Sequence, residues 1–279
     1  MSSRTTLPLL SVGSLLLGML SFQCGATLAK QLFPLVGAQG ATAMRLGLGA
    51  LILWLLRRPW RRLVNRQGWA SLWGYGLTLG VMNFCFYMAL RTIPLGIAVA
   101  LEFLGPLAIA LFGSRRALDF LWLGLVVAGL ALLLPYRMHT EALDPVGVLY
   151  ALSAAAGWAT YIVLGRRAGA AFGTDTVALG SAIGALVVVP VGIVHAGTAL
   201  FTLSALPYSL EMYALTRLPS RTVSILVSFE PAMGALLGLM FLDELLDAFQ
   251  WLAIAAIIAA SIGAVLGARK APVEITDMT

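Results

Sequence analysis

The chain has 279 residues and a formal net charge of +6, with 60% hydrophobic and only 11% charged residues. A soluble domain has about a quarter charged residues, so this composition excludes a water-soluble globular protein. The basic residues lie in short clusters between apolar runs rather than on one face or tail, which excludes nucleic acid as a partner.

Ten apolar stretches follow one another, and we predict an all-α membrane protein with one membrane-spanning helix in each, because about 20 apolar residues cross a bilayer. These stretches, called spans 1 to 10, cover residues 7–29, 37–56, 69–90, 94–113, 117–136, 144–165, 174–195, 199–216, 220–241 and 248–268. Fourteen Arg and Lys residues lie at one end of the spans and three at the other, with one more inside span 2. Cytoplasmic loops retain Arg and Lys, so we predict that both termini are cytoplasmic and the protein is multi-pass.

A short pattern occurs twice along the chain. Ala-Leu-Arg-Thr-Ile-Pro at 89–94 returns as Ala-Leu-Thr-Arg-Leu-Pro at 214–219, and Pro106 returns as Pro231, all at an offset of 125 residues. Spans 3 to 5 therefore match spans 8 to 10, which indicates an internal repeat.

The repeat predicts two halves of five spans each, residues 1–140 and 141–279. Because five is odd, the second half enters the membrane from the opposite face. Such inverted repeats are typical of secondary transporters, whose substrate site lies near the membrane midplane between the repeats. Aligning Phe22 with Trp158 needs an offset of 136, so about eleven residues fewer precede span 8. Either the loop after His195 is very short or a segment is absent from the sequence, and both interpretations stay open.

Four ionisable residues are predicted inside spans: Arg45, Glu102, Glu230 and Glu211. Each costs about 2.5 to 3.5 kcal/mol at a helix centre on insertion scales, so we expect them to face the bundle interior. Arg45 could bind a ligand's carboxylate or a glutamate through its planar fork. The glutamates could bind an amino group or carry a proton. A purely structural Arg–Glu pair that locks the helices together is the alternative.

Six uncharged polar or aromatic residues are candidates for lining a central cavity. They are Gln23, Asn83, Tyr87, Trp158, Tyr161 and Tyr208. Trp158 is the most informative, since it is predicted in mid-span rather than in the aromatic belt at a membrane interface. Packing between helices would also explain it, because an aromatic side chain buries a large area in either case.

Prolines interrupt several spans, where each removes a backbone hydrogen bond and can bend the helix. We predict that Pro106 and Pro231, together with Glu230 and Glu211, take part in coupling or gating. Prolines that neighbouring helices merely accommodate are the alternative.

Neither a metal site nor an enzyme is predicted. Cys24 and Cys85 lie in apolar runs far from any partner at ligand spacing, and His139 and His195 lie in loops without suitable neighbours. We expect no cofactor and no catalytic residue.

Several stretches resemble the drug/metabolite transporter superfamily, and within it the EamA-type threonine and homoserine exporters of bacteria. The matching stretches include Pro-Leu-Gly-Ile-Ala-Val-Ala-Leu-Glu-Phe at 94–103, Leu-Pro-Tyr-Ser-Leu-Glu-Met at 206–212, and residues 28–38, 216–219 and 257–261. The likeness therefore extends over nearly the whole chain. The shortened entry to span 8 departs from the family's usual pattern.

This resemblance implies ten helices in two inverted repeats around a central cavity of a bacterial inner-membrane protein. It also implies efflux of small amino acids such as threonine, homoserine and methionine by alternating access, driven by the proton gradient. Export of drugs or other metabolites by the same fold is the alternative. Small multidrug pumps of this superfamily use a glutamate in the first helix, whereas span 1 offers Gln23.

Overall fold

The computed structural model describes residues 23–59, 68–112, 143–196 and 230–268, with short helical pieces between 121 and 129. Within these ranges the chain is helical and contains no strand, so the predicted all-helical character is confirmed. The helices are α1 (Phe33–Arg57), α2 (Trp69–Ala89), α3 (Leu95–Glu102), α4 (Leu104–Phe112), α5 (Pro145–Phe172), α6 (Thr176–Ala196), α7 (Glu230–Phe241) and α8 (Ala248–Ala268). Residues 23–31 are also helical, and a 3-10 turn at Gly173–Asp175 joins α5 to α6.

The helix positions agree closely with the predicted spans. Helices α2, α6 and α8 coincide with spans 3, 7 and 10 to within two residues at each end. Helix α5 begins where span 6 does but continues seven residues further, to Phe172. Span 5 is described only in the pieces between 121 and 129, and span 8 and the start of span 9 lie outside the described residues.

Two helices are interrupted where the sequence contains a glycine or a proline. In α1, Gly37 adopts φ 68° and ψ 170°, a conformation that favours glycine, and it bends the helix near the start of span 2. Span 4 divides at Phe103 into α3 and α4. Pro106 explains this break, because it has no N–H to donate to the carbonyl of Glu102 one turn earlier. Helix α6, in contrast, continues through Pro190.

Helix α3 forms the centre of the bundle. All eight of its residues are buried, as expected for a helix that is apolar on every side. It packs mainly between α7 and α5, and the close contact with α7 depends on Gly96, since a Cβ there would overlap the backbone and side chain of Ala235. Small residues of this kind let membrane helices approach closely. Around this centre, α1 packs on α6, and α2 packs on α5 and α6.

The outward faces of the helices are strongly apolar. Leu55, Leu149 and Val194 are 59%, 65% and 81% exposed, and many other large apolar side chains share such positions. Two helical stretches of the described chain, Phe33–Arg57 and Pro145–Ala196, are long and apolar enough to cross a membrane. Soluble monomers rarely expose so much continuous apolar surface. A lipid environment is the solvent that suits these faces.

Candidate substrate-binding site

Arg45 is the cation of the bundle interior, and Tyr87 holds it in position. The Nη1 atom of Arg45, on α1, donates a hydrogen bond of 2.8 Å to the hydroxyl of Tyr87, on α2. The guanidinium carbon lies 5.6 Å from the centroid of the same ring, close enough for a cation–π interaction. Tyr87 is fully buried, with Phe33 and Phe86 at ring-centroid distances of 6.1 and 5.8 Å. The ring therefore fixes one face of the guanidinium.

Two glutamates share the electrostatic field of this arginine. Glu102 ends α3 and is only 7% exposed, whereas Glu230 begins α7 and is half-buried. Arg45 attracts both carboxylates, and Glu230 repels Glu102. Val99, three residues before Glu102, lies beside Gly234, four residues after Glu230, so the end of α3 lies near the start of α7. Residues predicted from three separate spans thus form one polar cluster, called here the central cluster.

Gln23 joins the central cluster from the helical segment 23–31. It is fully buried, and its Nε2 donates to the backbone carbonyl of Glu230 at 3.4 Å. One turn further on, the hydroxyl of Thr27 donates to the backbone carbonyl of Gln23 at 2.9 Å. The side-chain amide of Gln23 is therefore directed at the start of α7.

Trp158 and Asn83 have neighbours that suggest a more peripheral position. Trp158, on α5, packs edge-on against Phe103 with centroids 5.9 Å apart, beside the break that follows Glu102. The Nδ2 of Asn83 donates to the carbonyl of Leu79 on its own helix, at 2.9 Å. Both side chains are half-buried.

The two prolines predicted to take part in coupling or gating each follow one of these glutamates. Pro231 is buried in the first turn of α7, immediately after Glu230, and Pro106 lies one turn after Glu102. Tyr208 and Glu211 lie outside the described residues.

A second polar cluster lies at one end of the bundle and was not predicted as a site. Lys30 Nζ lies 2.5 Å from Glu244 Oε1 and donates to the carbonyl of Ile93 at 3.2 Å. The other carboxylate oxygen of Glu244 accepts the backbone N–H of Leu95 at 2.7 Å, so it caps the start of α3. We call Lys30, Glu244 and Leu95 N–H the Lys30 cluster. The sequence analysis counted Lys30 only as one of three basic residues at that end. The polar break between spans 9 and 10, which contains Glu244, was the available signal.

Tyr161, one of the candidate cavity residues, pairs with Tyr75, which the sequence analysis did not single out. The rings of Tyr75, on α2, and Tyr161, on α5, stack with centroids 4.6 Å apart, and their hydroxyls are 2.9 Å apart. Gly180 of α6 makes room for this stack, since a Cβ there would overlap the Tyr75 ring. No sequence spacing connects these two residues.

The central cluster combines a guanidinium with carboxyl groups. Across the described ranges, no group of three or more His, Cys, Asp or Glu residues could hold a metal ion. An arginine and two glutamates, one buried and the others half-buried among apolar helices, bring both signs of charge into the bundle. Fold and site together define an integral membrane transporter.

Comparison with known proteins gives the family. Residues 145–266 match the EamA-like transporter family. The threonine/homoserine exporter RhtA of Salmonella typhimurium strain LT2 is 53% identical over 271 residues, an alignment that covers 92% of this chain and 92% of the relative. The exporter of the same name from Escherichia coli strain K12 is 53% identical over 269 residues, covering 92% and 91% of the two chains. The chain belongs to the EamA-like transporter family.

A solved structure supports the fold alone. It is a crystal structure of a protein 23% identical to this chain, with a TM-score of 0.58, covering 93% of this chain and 96% of the other.

Proposed function

We propose that the protein exports small neutral amino acids, threonine and homoserine foremost and methionine among the similar ones, across the bacterial inner membrane. The observation that carries this proposal is the central cluster, where Arg45 lies in the field of Glu102 and Glu230. A zwitterion needs both signs of charge in one site, because its carboxylate and ammonium are only a few atoms apart. The relatives named threonine/homoserine exporters support it, since 53% identity extends over about nine-tenths of each chain.

Each group of the cluster has a role in this proposal. Arg45 binds the substrate carboxylate through its planar fork, with Tyr87 holding the guanidinium in place. Glu102 binds the ammonium group. Gln23, Asn83, Trp158 and Tyr208 are proposed to line the remaining surface of the cavity. The hydrogen bond of Gln23 to the Glu230 carbonyl and the contact of Trp158 with Phe103 beside Glu102 support the roles of these two residues.

The proposed architecture has ten spans in two inverted repeats, residues 1–140 and 141–279, with both termini in the cytoplasm. The packing supports it: α1 lies on α6, and α3 on α7. These pairs are spans 2 and 7, and spans 4 and 9, which are counterparts in the two repeats. A two-fold axis between repeats brings counterpart helices together. In this orientation the Lys30 cluster lies on the extracytoplasmic side.

Transport is proposed to proceed by alternating access with protons as the counter-ion. Glu230, and with it Glu211, would carry the proton, because a carboxyl group that shares one arginine with a second carboxyl can alternate between proton and substrate. The break before Pro106 and the helix start at Pro231 are the proposed hinges of spans 4 and 9.

Counterflow in proteoliposomes tests the proposal. Purified protein is reconstituted with unlabelled threonine inside, and labelled threonine is added outside. We expect transient accumulation of label that unlabelled homoserine, or a larger excess of unlabelled methionine, abolishes and that a hydrophobic cation leaves unchanged. Absence of amino-acid counterflow, with flux of the cation instead, would overturn amino-acid export in favour of drug or metabolite efflux.

A further inference from the structure

The side-chain amide of Gln23 has one hydrogen-bonding atom left over. Its Nε2 donates to the carbonyl of Glu230, but its Oε1 is buried and has no hydrogen-bond partner among the residues that the structure describes. The reverse orientation of the amide would set its oxygen against the Glu230 carbonyl oxygen. The free atom is therefore the acceptor. An acceptor left unpaired in an apolar interior is costly, which calls for a partner that is present part of the time.

Space for such a partner lies beside the amide. Gly234, one turn into α7, faces Gln23, and a Cβ added to this glycine would lie 3.6 Å from both amide atoms and 3.3 Å from Val99 Cγ2. The two distances to the amide are ordinary van der Waals contacts, whereas 3.3 Å to Val99 Cγ2 is tighter, so a group there requires Val99 to shift by a few tenths of an ångström. A group of the size of one methyl therefore fits between Gln23, Val99 and Gly234 once Val99 makes this small shift.

We infer that the carbonyl oxygen of Gln23 accepts a hydrogen bond from the side-chain hydroxyl of the substrate, and that this bond selects hydroxy amino acids. The inference rests on the proposed function. Arg45 and the two glutamates match the charges of the amino-acid backbone, which all substrates share. A neutral acceptor in an apolar corner matches a neutral donor, and the hydroxyl is the donor that distinguishes threonine and homoserine from apolar amino acids.

Isosteric pairs make this selectivity measurable. Threonine and valine have the same shape and differ in one hydroxyl for one methyl, and homoserine and norvaline differ in the same way. When valine occupies the site, the Gln23 oxygen stays unpaired, whereas threonine satisfies it. A site that hydrogen-bonds a substrate hydroxyl rejects the analogue that lacks it more strongly than an apolar pocket can reject one methylene.

The experiment is competition in the threonine counterflow assay. For the unaltered protein, we expect half-inhibition of counterflow to need at least about ten times more valine than threonine. One unpaired buried acceptor produces a ratio of this size. Gln23→Met keeps the length of the side chain and removes both polar atoms. In this variant we expect the threonine-to-valine and homoserine-to-norvaline ratios to fall close to one, through weaker threonine binding and stronger valine binding.

Thr27→Val is the matched control, since it removes a buried hydroxyl one turn away that bonds only to the Gln23 backbone in the described structure. Its ratios should equal those of the unaltered protein.

A Gln23→Met protein that still prefers threonine tenfold would overturn the inference while leaving amino-acid export intact. If Gln23→Met does not purify as a monodisperse protein, Gln23→Leu and Val99→Thr replace it. Val99→Thr places a hydroxyl beside the amide that can hydrogen-bond the Gln23 oxygen in place of the substrate. The threonine-to-valine and homoserine-to-norvaline ratios should therefore fall, and unchanged ratios would count against the inference. Absence of counterflow in the unaltered protein would instead reject the proposed function.

Discussion

Glu102 and Glu230 compete for one arginine, and in the proposed transport cycle this competition connects substrate binding with proton movement. Arg45 attracts both carboxylates, while the two repel each other, so full ionisation of the pair in an apolar interior is unfavourable. A proton on one of them relieves the repulsion. Departure of that proton changes the charge balance of the site that holds the substrate.

Glutamine substitutions test this coupling. Glutamine keeps the shape of glutamate but cannot ionise, so we expect Glu230→Gln to abolish the acceleration of threonine efflux by an imposed pH gradient. The measured quantity is the ratio of efflux rates with and without the gradient, which should fall to about one. Glu102→Gln should chiefly weaken threonine binding. Asp247→Asn is the control, because Asp247 caps the start of α8 outside the central cluster and asparagine also serves as a cap. A Glu230→Gln protein with the full gradient response would reject the coupling role.

For single residues, the sequence identifies the members of the central cluster but does not predict their hydrogen-bond partners. Arg45, Glu102 and Glu230 could be identified because a charge in a membrane span is costly and needs a partner. The hydrogen bond from Arg45 to Tyr87 could not, because it depends on how α1 and α2 are rotated about their axes. Asn83 shows the same limit, since its amide bonds to its own helix.

Glycine determines how closely the helices pack, and one contact is especially tight. A Cβ on Gly105 of α4 would run into the backbone carbonyl oxygen of Ala155 on α5, which cannot move aside without shifting that helix. Gly169, also on α5, has open space in the same position. These two glycines form a matched pair.

We expect Gly105→Ala to destabilise the folded protein by about 1 to 3 kcal/mol, the usual cost of overpacking a well-packed interior. Gly169→Ala should leave stability unchanged or raise it by up to about 1 kcal/mol, because alanine favours the helix more than glycine does. Thermal unfolding in detergent, followed by loss of the monodisperse peak, measures both. Equal melting temperatures for the two variants would contradict the close α4–α5 contact.

The start of α5 depends on a carboxylate. Asp144 accepts hydrogen bonds from the backbone N–H groups of Val146 and Gly147, at 3.2 and 3.0 Å. The Thr92 hydroxyl is the largest influence that holds the pKa of Asp144 below its ordinary value, and the two amides add to it. A lowered pKa in the folded state means that the carboxylate stabilises the fold above the ordinary pKa of aspartate, near 4, and that this contribution is lost as the pH falls through the lowered value.

Thr92→Val removes the hydroxyl and keeps the shape of the side chain. We expect it to lower the melting temperature at pH 7, and we expect the difference from the unaltered protein to shrink in acid, below about pH 4, as Asp144 protonates. Thr160→Val, which loses only a bond to the carbonyl of Ala156 on the same helix, is the control and should show no such pH dependence. A difference that stays constant from pH 7 to pH 3 would contradict the role of Asp144.

Element positions were the most predictable feature because apolar length is a direct signal of a membrane span. The boundaries of α2, α6 and α8 follow from it. The extension of α5 to Phe172 does not, because its last two turns carry Arg166 and Arg167 and no longer look apolar. Pro106 indicated that span 4 could divide, and it does so at Phe103. Pro190, in contrast, lies within the continuous helix α6. A proline in a span therefore indicates a possible break, and packing decides whether one occurs.

At the scale of the whole molecule, the Lys30 cluster joins the two proposed repeats. Lys30 and Leu95 belong to residues 1–140, and Glu244 belongs to 141–279. A second bond between the same segments runs from Gln31 Nε2 to the carbonyl of Phe241, at 3.0 Å. The side chains of Lys30 and Glu244 are only 20% and 12% exposed, so salt screens the pair little. Opening this end of the bundle requires breaking these bonds, and we propose that they hold the extracytoplasmic side closed.

The two native cysteines provide a reporter for this closure. In a Cys24→Ala background, Cys85 is the remaining thiol, buried in α2 one turn from the end that carries the Lys30 cluster. We expect Lys30→Met and Glu244→Gln each to speed its labelling by a membrane-impermeant maleimide, added from outside, by about tenfold or more, since a charge-assisted bond of this kind contributes roughly 1.5 to 3 kcal/mol. Arg91→Met is the control, because Arg91 is exposed at the same end of the bundle. Its Nη1 lies 4.0 Å from Met88 Sδ, one turn earlier on the chain. Labelling at the unaltered rate in both cluster variants would show that the Lys30 cluster does not close this side. Faster labelling in Lys30→Met and Glu244→Gln but not in Arg91→Met would show that the ion pair between the two proposed repeats limits access of the outer solution to the interior around Cys85.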